Sequence, residues 1–416
     1  MAMAVTERNS PVAGHHERTT VAHTRASRRG PRQDSLSSSC VGAALGVVLL
    51  LVATALLWAN EGIAVRTARS LDEARAAVWE GALADAPSGA LVHVVGKLDG
   101  ERTLSDEDYG LRTRSLSLRR VAEVYQWKET KETHTKPIGG GRGHRPLEQE
   151  VTTYKYDSLW ARHAIDSQGF HDPNFINPRW EGAIEAASSG TGLPFSASAW
   201  KQPSVQLAGL QLSAELQAMA DVTQPISPQR LPEWGSGAIL SGGHVYSSRD
   251  CSVRPRVGCV RLHWVHAPLQ VVSVLAAAQR GRLVPWPNSQ GDQYEIAKLS
   301  FGEHSAAAIL SEAHAANNSA TWIKRGAGLL LMWLGWSLLM GPASYIASWL
   351  PILGRLVGYV LAVVALCSAV VQSLTVIAIA WVVHRPLLGT LLLASAVAIA
   401  CGGIRFAIHG FAKQKK

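Results

Sequence analysis

The chain has 416 residues, 47% hydrophobic and 17% charged, and its formal net charge is +9. The excess cations lie at the two ends: residues 1–39 carry six Arg and three acidic residues, and residues 326–416 carry six basic residues and no acid. Residues 60–325 carry 28 basic and 28 acidic side chains. A nucleic-acid-binding protein concentrates basic side chains on a folded domain, so the composition gives no support for a nucleic-acid partner.

Four apolar runs stand out in the chain, and no comparable run lies between Asn60 and Arg325. A helix needs about 20 apolar residues to cross a bilayer core about 30 Å thick. The pattern therefore predicts a multi-pass α-helical membrane protein in which one large domain, 60–325, lies between the first two spans. This architecture excludes most classes of soluble enzyme. The four predicted spans are residues 40–59, 326–347, 357–383 and 387–404.

The charges that flank the spans predict their orientation. Lys and Arg are enriched on the cytoplasmic side of membrane proteins, which places the tail 1–39 and the basic tail 405–416 in the cytosol. The domain 60–325 then faces the lumen. The tail 1–39 has almost no large apolar side chains and is predicted to be disordered. The length of this tail and the lack of a clean cleavage site after the first apolar run predict that the run is a retained membrane anchor and not a cleaved signal peptide.

The segment after the first span carries a helix signal and then strand signals. Ser70-Leu71-Asp72-Glu73 has the form of a capping box, which predicts a helix that begins at Leu71. Residues 210–221 have a helical composition. Runs rich in β-branched and aromatic residues predict strands, so we expect the lumenal domain to be a β-rich α+β domain with a single core. The predicted strands are residues 91–95, 118–128, 152–160, 244–246, 257–265, 269–276 and 283–286.

No recognisable catalytic or cofactor-binding motif occurs in the sequence of the lumenal domain. The glycine run 139–144 lacks the Lys-Ser/Thr ending of a phosphate-binding loop and is predicted to be a hairpin tip. Asp106-Glu107-Asp108 could hold calcium through carboxylates, but a solvated loop explains this cluster better. His263 is predicted to lie on the outer face of a strand. We therefore predict no catalytic residue, no cofactor, no metal site and no enzymatic activity.

Two covalent features are predicted in the domain. Cys251 and Cys259 lie eight residues apart and could form a disulfide in an oxidising lumen. The spacing is a weak signal, so a disulfide and a reduced pair both remain open. Asn317-Asn318-Ser319 is an acceptor sequence for N-glycosylation, although the closeness of Asn317 to the second predicted span works against its use.

Small and polar residues in the predicted spans favour contacts between helices. Gly42 and Gly46 in the first span, like Ala398 and Gly402 in the fourth, are spaced four apart and allow close packing, which suggests a homo-oligomer. Gln372 in the third span can bond to a neighbouring helix. No charged side chain lies at the centre of a predicted span, which disfavours a proton-coupled transporter.

Short segments spread along the chain carry a resemblance to a known family. They are Asn60-Glu61-Gly62 with Arg66-Thr67-Ala68-Arg69-Ser70-Leu71, residues 91–96, Leu118-Arg119-Arg120 with residues 124–129, Tyr154-Lys155-Tyr156 with Trp160, Gln279-Arg280-Gly281 with Leu283-Val284-Pro285, and Trp381 with Arg385-Pro386. Together they resemble the transmembrane protein 43 family, also called LUMA. The resemblance covers about residues 59–130, 150–165, 257–300 and the terminal spans, whereas residues 166–256 and the N-terminal tail differ.

This resemblance implies a non-enzymatic organiser, or scaffold, of the endoplasmic reticulum and inner nuclear membrane. Such a protein would act through lumenal-domain contacts and self-association, with nuclear-envelope partners such as emerin, lamins and SUN-domain proteins. The chain departs from the family at its end, because Lys413-Gln414-Lys415-Lys416 is out of register with a dilysine retrieval signal. A membrane transport or channel component is the alternative function that four spans and the polar third span would suit.

Overall fold

The computed structural model describes residues 3–7, 17–26, 33–138, 147–229, 231, 237–347 and 354–384. Long helices form a bundle, and a β-rich domain is joined to it. The helices are α1 Gln33–Ala77, α2 Trp180–Thr191, α3 Ala214–Ala220, α4 Arg249–Val253, α5 Ala306–Leu339, α6 Gly341–Ala347 and α7 Gly354–His384. The strands are β1 Met3–Glu7, β2 Glu17–Ala26, β3 Ala90–Lys97, β4 Asp99–Gly100, β5 Leu104–Asp106, β6 Leu111–Thr113, β7 Ser115–Ile138, β8 Leu147–Ala161, β9 Ser198–Lys201, β10 Val205–Leu207, β11 Leu210–Leu212, β12 Gln224–Ile226, β13 Ile239–Ser241, β14 His244–Tyr246, β15 Val260–Pro268, β16 Val271–Gln279, β17 Arg282–Val284 and β18 Lys298–Phe301.

Two large sheets build the described part of the domain. The first has the order β1-β2-β8-β7-β15-β14-β13, with β12 beside β15 and β9 beside β7. The second has the order β18-β16-β17-β11-β10-β4, with β3 beside β16, and β5 and β6 form a short ribbon. The strands predicted at 91–95, 118–128 and 152–160 lie in β3, β7 and β8, so these predictions are confirmed.

The segment 210–221, predicted as one helix, divides into a strand and a helix. Its first three residues form β11, and α3 begins only at Ala214. The side chain of Ser213 accepts a hydrogen bond from the Leu216 N–H, which makes Ser213 an N-cap. A capping serine has an extended backbone and marks a helix start, so the helix cannot include the residues before it.

Buried apolar side chains form separate clusters within the domain and at its junction with the helices. Trp264 and Leu118, both fully buried, belong to a cluster under the first sheet, and Leu212 and Val274 belong to one under the second. A further cluster joins the two longest helices to the second sheet. Its buried members are Leu71, Ala74, Leu91, Leu275, Ile296 and Leu310. Each buried Leu or Ile stabilises the folded state by about 1.5–3 kcal/mol, so the helices are docked firmly on the domain.

Helix α1 is continuous from its apolar half into the domain. It has 45 residues, which is about 67 Å at 1.5 Å per residue. The prediction of a helix that begins at Leu71 is therefore wrong. Ser70 lies inside α1, and its hydroxyl donates to the Tyr294 carbonyl oxygen instead of capping a helix. No proline interrupts α1 after its apolar half, so a helix already formed simply continues.

The prediction of four spans is wrong. In the described residues, two helical segments are long and apolar enough to cross a membrane, Ser39–Ala77 in α1 and Val357–His384 in α7. The second predicted span, 326–347, is divided between α5 and α6. Pro342 explains the division, because proline lacks the N–H that a continuing helix requires and disfavours helical backbone in the residue before it.

The break between α5 and α6 leaves α5 with an apolar segment too short to cross the bilayer by itself. That segment ends with α5 at Leu339, so residues 326–339 measure about 21 Å, less than the bilayer core of about 30 Å. The fourth predicted span, 387–404, lies outside the described residues, as do its small residues Ala398 and Gly402 and the tail 405–416.

The N-terminal tail, predicted to be disordered and cytosolic, contributes strands to the first sheet. β2 pairs antiparallel with β8, from Glu17 opposite Tyr156 to Ala26 opposite Leu147, and β1 pairs with β2. β8 offers a free edge with unpaired backbone groups, and the Thr/Val-rich β2 suits an extended conformation. The expectation of a disordered tail is thus corrected for β1 and β2. Their sheet also contains the domain's own strands, whereas the charge distribution places the tail across the membrane from the domain.

A glycine contact holds α1 against α5, which run antiparallel. A Cβ added to Gly46 would lie 2.6 Å from the Gly335 carbonyl oxygen, and one added to Gly335 would lie 2.9 Å from the Leu50 side chain. At Gly42 the nearest atom, on Leu338, is 4.0 Å away. Gly46 therefore serves a contact within one chain, whereas the predicted contact between chains stays a prediction.

We expect Gly46→Ile to destabilise the bundle by about 1–3 kcal/mol, the usual cost of overpacking. Gly42→Ile, one turn earlier on α1, is the matched control and should change stability little. The measurement is denaturant unfolding of the detergent-solubilised chain, followed by circular dichroism. Chemical crosslinking of the same variants gives the contrary outcome. If both variants lost the crosslinked dimer while their unfolding stayed unchanged, the two glycines would face another chain.

Candidate functional site

The polar contacts at the base of the bundle define the candidate site, which we call the stalk. It consists of residues 60–77 of α1 and 306–325 of α5, where the two helices leave the domain and enter the apolar bundle. Glu61, with 1% of its surface exposed, accepts two hydrogen bonds from Arg325, Nε to Oε1 and Nη2 to Oε2, each 2.7 Å long. The Trp381 indole nitrogen of α7 donates to Glu61 Oε2 at 2.9 Å.

This ion pair joins three helices through one carboxylate. A buried carboxylate is strongly destabilising unless it is paired and hydrogen-bonded, and the bidentate arginine geometry satisfies both oxygens of Glu61. The Arg325 guanidinium also lies over Trp322 and Trp381, 4.8 and 5.7 Å from the ring centroids. Such cation–π contacts keep the guanidinium in place. The position of α7 is therefore coupled to that of α1 and α5.

Further polar contacts continue along the stalk toward the domain. The Asn60 amide donates to the Thr321 carbonyl oxygen at 3.4 Å, and the Asn317 amide donates to the Ala64 carbonyl oxygen at 3.0 Å. Asn317 is the acceptor residue of the predicted glycosylation sequence. Its amide nitrogen, to which a glycan would attach, instead bonds α5 to α1, and this placement argues against modification of the folded chain.

The C-terminal end of α7 also contacts the stalk. Arg69 donates to the His384 carbonyl oxygen at 2.6 Å, which satisfies a carbonyl at the end of the helix. The His384 ring packs on Gly62, whose added Cβ would lie 3.1 Å from Nε2, and lies 5.7 Å from the Trp58 ring. A small residue at position 62 is needed for this approach.

Polar side chains higher in the bundle bond to one another. Trp336 donates to Gln372 Oε1 at 2.8 Å, and Gln372 Nε2 donates to Thr54 Oγ1 at 3.0 Å. The prediction that Gln372 bonds to a neighbouring helix is confirmed. Because α1, α5 and α7 each contribute one member, these hydrogen bonds hold the helices together. An ion pathway would need polar groups free to face a passing ion, and these three face each other.

The acidic cluster Asp106-Glu107-Asp108 is solvated only in part, because Glu107 is exposed and Asp108 half-exposed, whereas Asp106 belongs to the core. Asp106 is fully buried. Its carboxylate accepts a hydrogen bond from Arg120 Nη1 at 2.9 Å and another from the Trp264 indole nitrogen at 2.8 Å. Burial raises the pKa of Asp106 above its ordinary value, while the Trp264 hydrogen bond and the Arg120 charge oppose that rise. Arg120 Nε donates to the Ser196 carbonyl oxygen. These groups satisfy one another, so the network is part of the core.

Cys251 and Cys259, for which the sequence leaves both states open, are joined by a disulfide. Their Cα atoms lie 5.6 Å apart. The bond connects α4 to the turn before β15 and joins two residues eight positions apart in the chain. It lies away from the stalk and stabilises the edge of the domain by restricting the unfolded chain.

Arg325→Met should destabilise the chain by about 3–5 kcal/mol, because it removes a charged partner and two short hydrogen bonds from a buried carboxylate. Lys324→Met, at the exposed neighbouring position, should stay within about 0.5 kcal/mol of the wild type. Adding Glu61→Gln to Arg325→Met should recover part of the lost stability, since a neutral amide is less costly to bury than a carboxylate that has lost the Arg325 hydrogen bonds. Equal stabilities of the Arg325 and Lys324 variants in denaturant unfolding would show that the ion pair contributes nothing.

Comparison with known proteins covers both the bundle and the domain. The family model described as Transmembrane protein 43 matches residues 124–386. Transmembrane protein 43 of Rattus norvegicus is 30% identical over 374 residues, covering 86% of this chain and 88% of the rat protein. The Homo sapiens protein of that name is 29% identical over 369 residues, covering 85% and 87%.

A more distant relative gives the same picture. The Transmembrane protein 43 homolog of Drosophila melanogaster is 27% identical over 370 residues, covering 86% of this chain and 93% of the fly protein. No solved structure matches the chain. The resemblance seen in the stalk residues 60–71 and in strands β3, β7 and β8 is thus confirmed over most of the sequence. The chain belongs to the Transmembrane protein 43 family.

Proposed function

We propose that this membrane protein is a non-enzymatic scaffold of the endoplasmic reticulum and inner nuclear membrane. It acts through contacts of its β-rich lumenal domain and through self-association in the bilayer. Partners among nuclear-envelope proteins follow from the family resemblance alone. The observation that carries the proposal is the continuity of α1 and α5, which pass from the apolar bundle into the domain without a linker.

Continuity matters because a scaffold must hold its binding surface in a fixed position. Flexible linkers allow domains to move independently, whereas the stalk ties the domain to the bundle twice. The Glu61–Arg325 pair fixes the helices at the bundle end, and buried Leu71 and Leu310 fix them against the second sheet at the domain end. A partner that binds the domain is therefore held at a fixed place relative to the membrane.

The polar groups in the described residues support a structural role over catalysis. Asp106 and Arg120, the most buried opposite charges of the domain, are paired with each other and with neighbouring groups. The alternative function, a membrane transport or channel component, draws on the polar Gln372 in α7. Its hydrogen bonds to Trp336 and Thr54 leave it engaged within the bundle, so we favour the scaffold.

Orientation forms part of the proposal. The excess of basic residues in the tail 1–39 and the neutral domain favour a cytosolic N-terminus and a lumenal domain. The pairing of β2 with β8 predicts instead that tail and domain share one side. A protease-protection test on two tags distinguishes these arrangements.

We expect a fluorescently tagged full-length chain to give a perinuclear rim continuous with the endoplasmic reticulum. In permeabilised cells, a tag inserted at Gly140 should resist protease because the lumen protects it, and a tag before Met1 should be digested. Protection of both tags would keep the scaffold but place the tail with the domain, as the β2–β8 pairing requires. Plasma-membrane fluorescence with an accessible Gly140 tag would contradict the proposal and favour the transport alternative.

A further inference from the structure

A group of potential metal ligands lies on the outer face of the first sheet, away from the stalk. Glu123 is on β7, His263 on β15 and His244 on β14. Arg261 pairs opposite Glu123, and Val245 pairs opposite Leu262, which places His244 beside His263. Alternate residues of a strand share one face, so three neighbouring strands bring these side chains together. The prediction that His263 faces outward agrees with this position.

The donor atoms are close enough to share one ion. One ligand atom from each of Glu123, His244 and His263 lies within 4.8 Å of the other two. His263 Nδ1 is 3.8 Å from Glu123 Oε2, too far for a hydrogen bond, and this buried nitrogen has no hydrogen-bond partner among the described residues. A buried imidazole nitrogen without a partner is destabilising unless something else binds it.

The second imidazole is oriented by the backbone. His244 Nδ1 lies 3.1 Å from the Gly242 carbonyl oxygen, which engages one ring nitrogen and leaves Nε2 as the available ligand. Histidine ligands of metal ions characteristically bond through their other nitrogen to a carbonyl or carboxylate in this way. His244 and His263 have their ring centroids 5.5 Å apart.

Two arginines already bond to the carboxylate of Glu123, so a metal ion can bind only if one of them releases an oxygen atom. Arg261 Nε donates to Oε2 at 2.8 Å, and its guanidinium is held over Trp160, 4.5 Å from the ring centroid. Arg162 Nε donates to Oε1 at 3.2 Å and its Nη2 lies 3.4 Å from His263 Nε2, but the Arg162 side chain is 60% exposed. Arg162 can therefore move into solvent and free Oε1 for an ion, while Arg261 continues to orient the carboxylate from Oε2.

We propose that Glu123, His244 and His263 bind one divalent transition-metal ion of the zinc class, with water completing the coordination. Two imidazoles and one carboxylate are a ligand set that zinc accepts, whereas calcium and magnesium prefer shells of oxygen atoms. The ion would connect β7, β15 and β14 and so fasten the sheet edge formed by β14 and β13.

The test uses the full-length chain in detergent, stripped with a chelator and titrated with Zn²⁺ and, for its absorption spectrum, Co²⁺. We expect one tightly bound ion per chain and a Co²⁺ spectrum of low coordination number. His263→Gln and Glu123→Gln should each weaken binding at least about tenfold, since even loss of an outer-shell partner costs that much. His134→Gln, at an exposed position on the same strand β7, is the matched control and should leave the affinity unchanged.

A fourth variant separates loss of ligands from loss of folding. Arg162→Gln removes the guanidinium that competes for Glu123 Oε1, so Zn²⁺ affinity should rise, a result that misfolding cannot produce. The proposal is overturned if the wild-type chain binds no stoichiometric ion, or if His263→Gln binds as tightly as His134→Gln. Weaker binding by Arg162→Gln would also contradict it, because the arginine would then support the ion.

Discussion

The buried ion pair between Glu61 and Arg325 is the constraint on which the rest of the molecule depends. Its carboxylate lies where the helices change from apolar to polar, so satisfying it requires α1, α5 and α7 to meet at one level. Once they meet there, Gly46 can approach Gly335 in the bundle and Asn317 can bond to α1 in the stalk. The contacts above and below the pair follow from that register.

Rigid helices carry this register into the domain, and the proposed scaffold function rests on that transfer. Leu71 of α1 and Leu310 of α5 pack on Leu91 and Leu275 of the second sheet. The second sheet is therefore positioned by helices that are themselves fixed in the bundle. Buried charged groups such as Asp106 and Arg120 bond to each other and stabilise the domain. This arrangement fits a protein that presents surfaces to partners.

Local patterns predicted much of this fold, and long-range pairings could not be predicted. Strands β3, β7 and β8 follow from alternating β-branched and aromatic residues, a local signal. Pro342 was visible in the sequence and marks the break between α5 and α6, yet the apolar run that contains it suggested one span. Glu61 and Arg325 are separated by 264 residues, and Glu123 and Arg261 by 138. No spacing rule connects such residues, because only helix packing and strand register bring them together.

The rigidity of the stalk is tested most directly by measuring whether the bundle and the domain move as one body. Spin labels at Val48→Cys in α1 and Glu101→Cys in the domain, in a chain with Cys40, Cys367 and Cys401 replaced, report the distance between them by pulsed electron paramagnetic resonance. A rigid stalk predicts a single narrow distance distribution. A broad or multiple distribution in the otherwise unaltered chain would show that the domain moves relative to the bundle, and would contradict the rigid stalk.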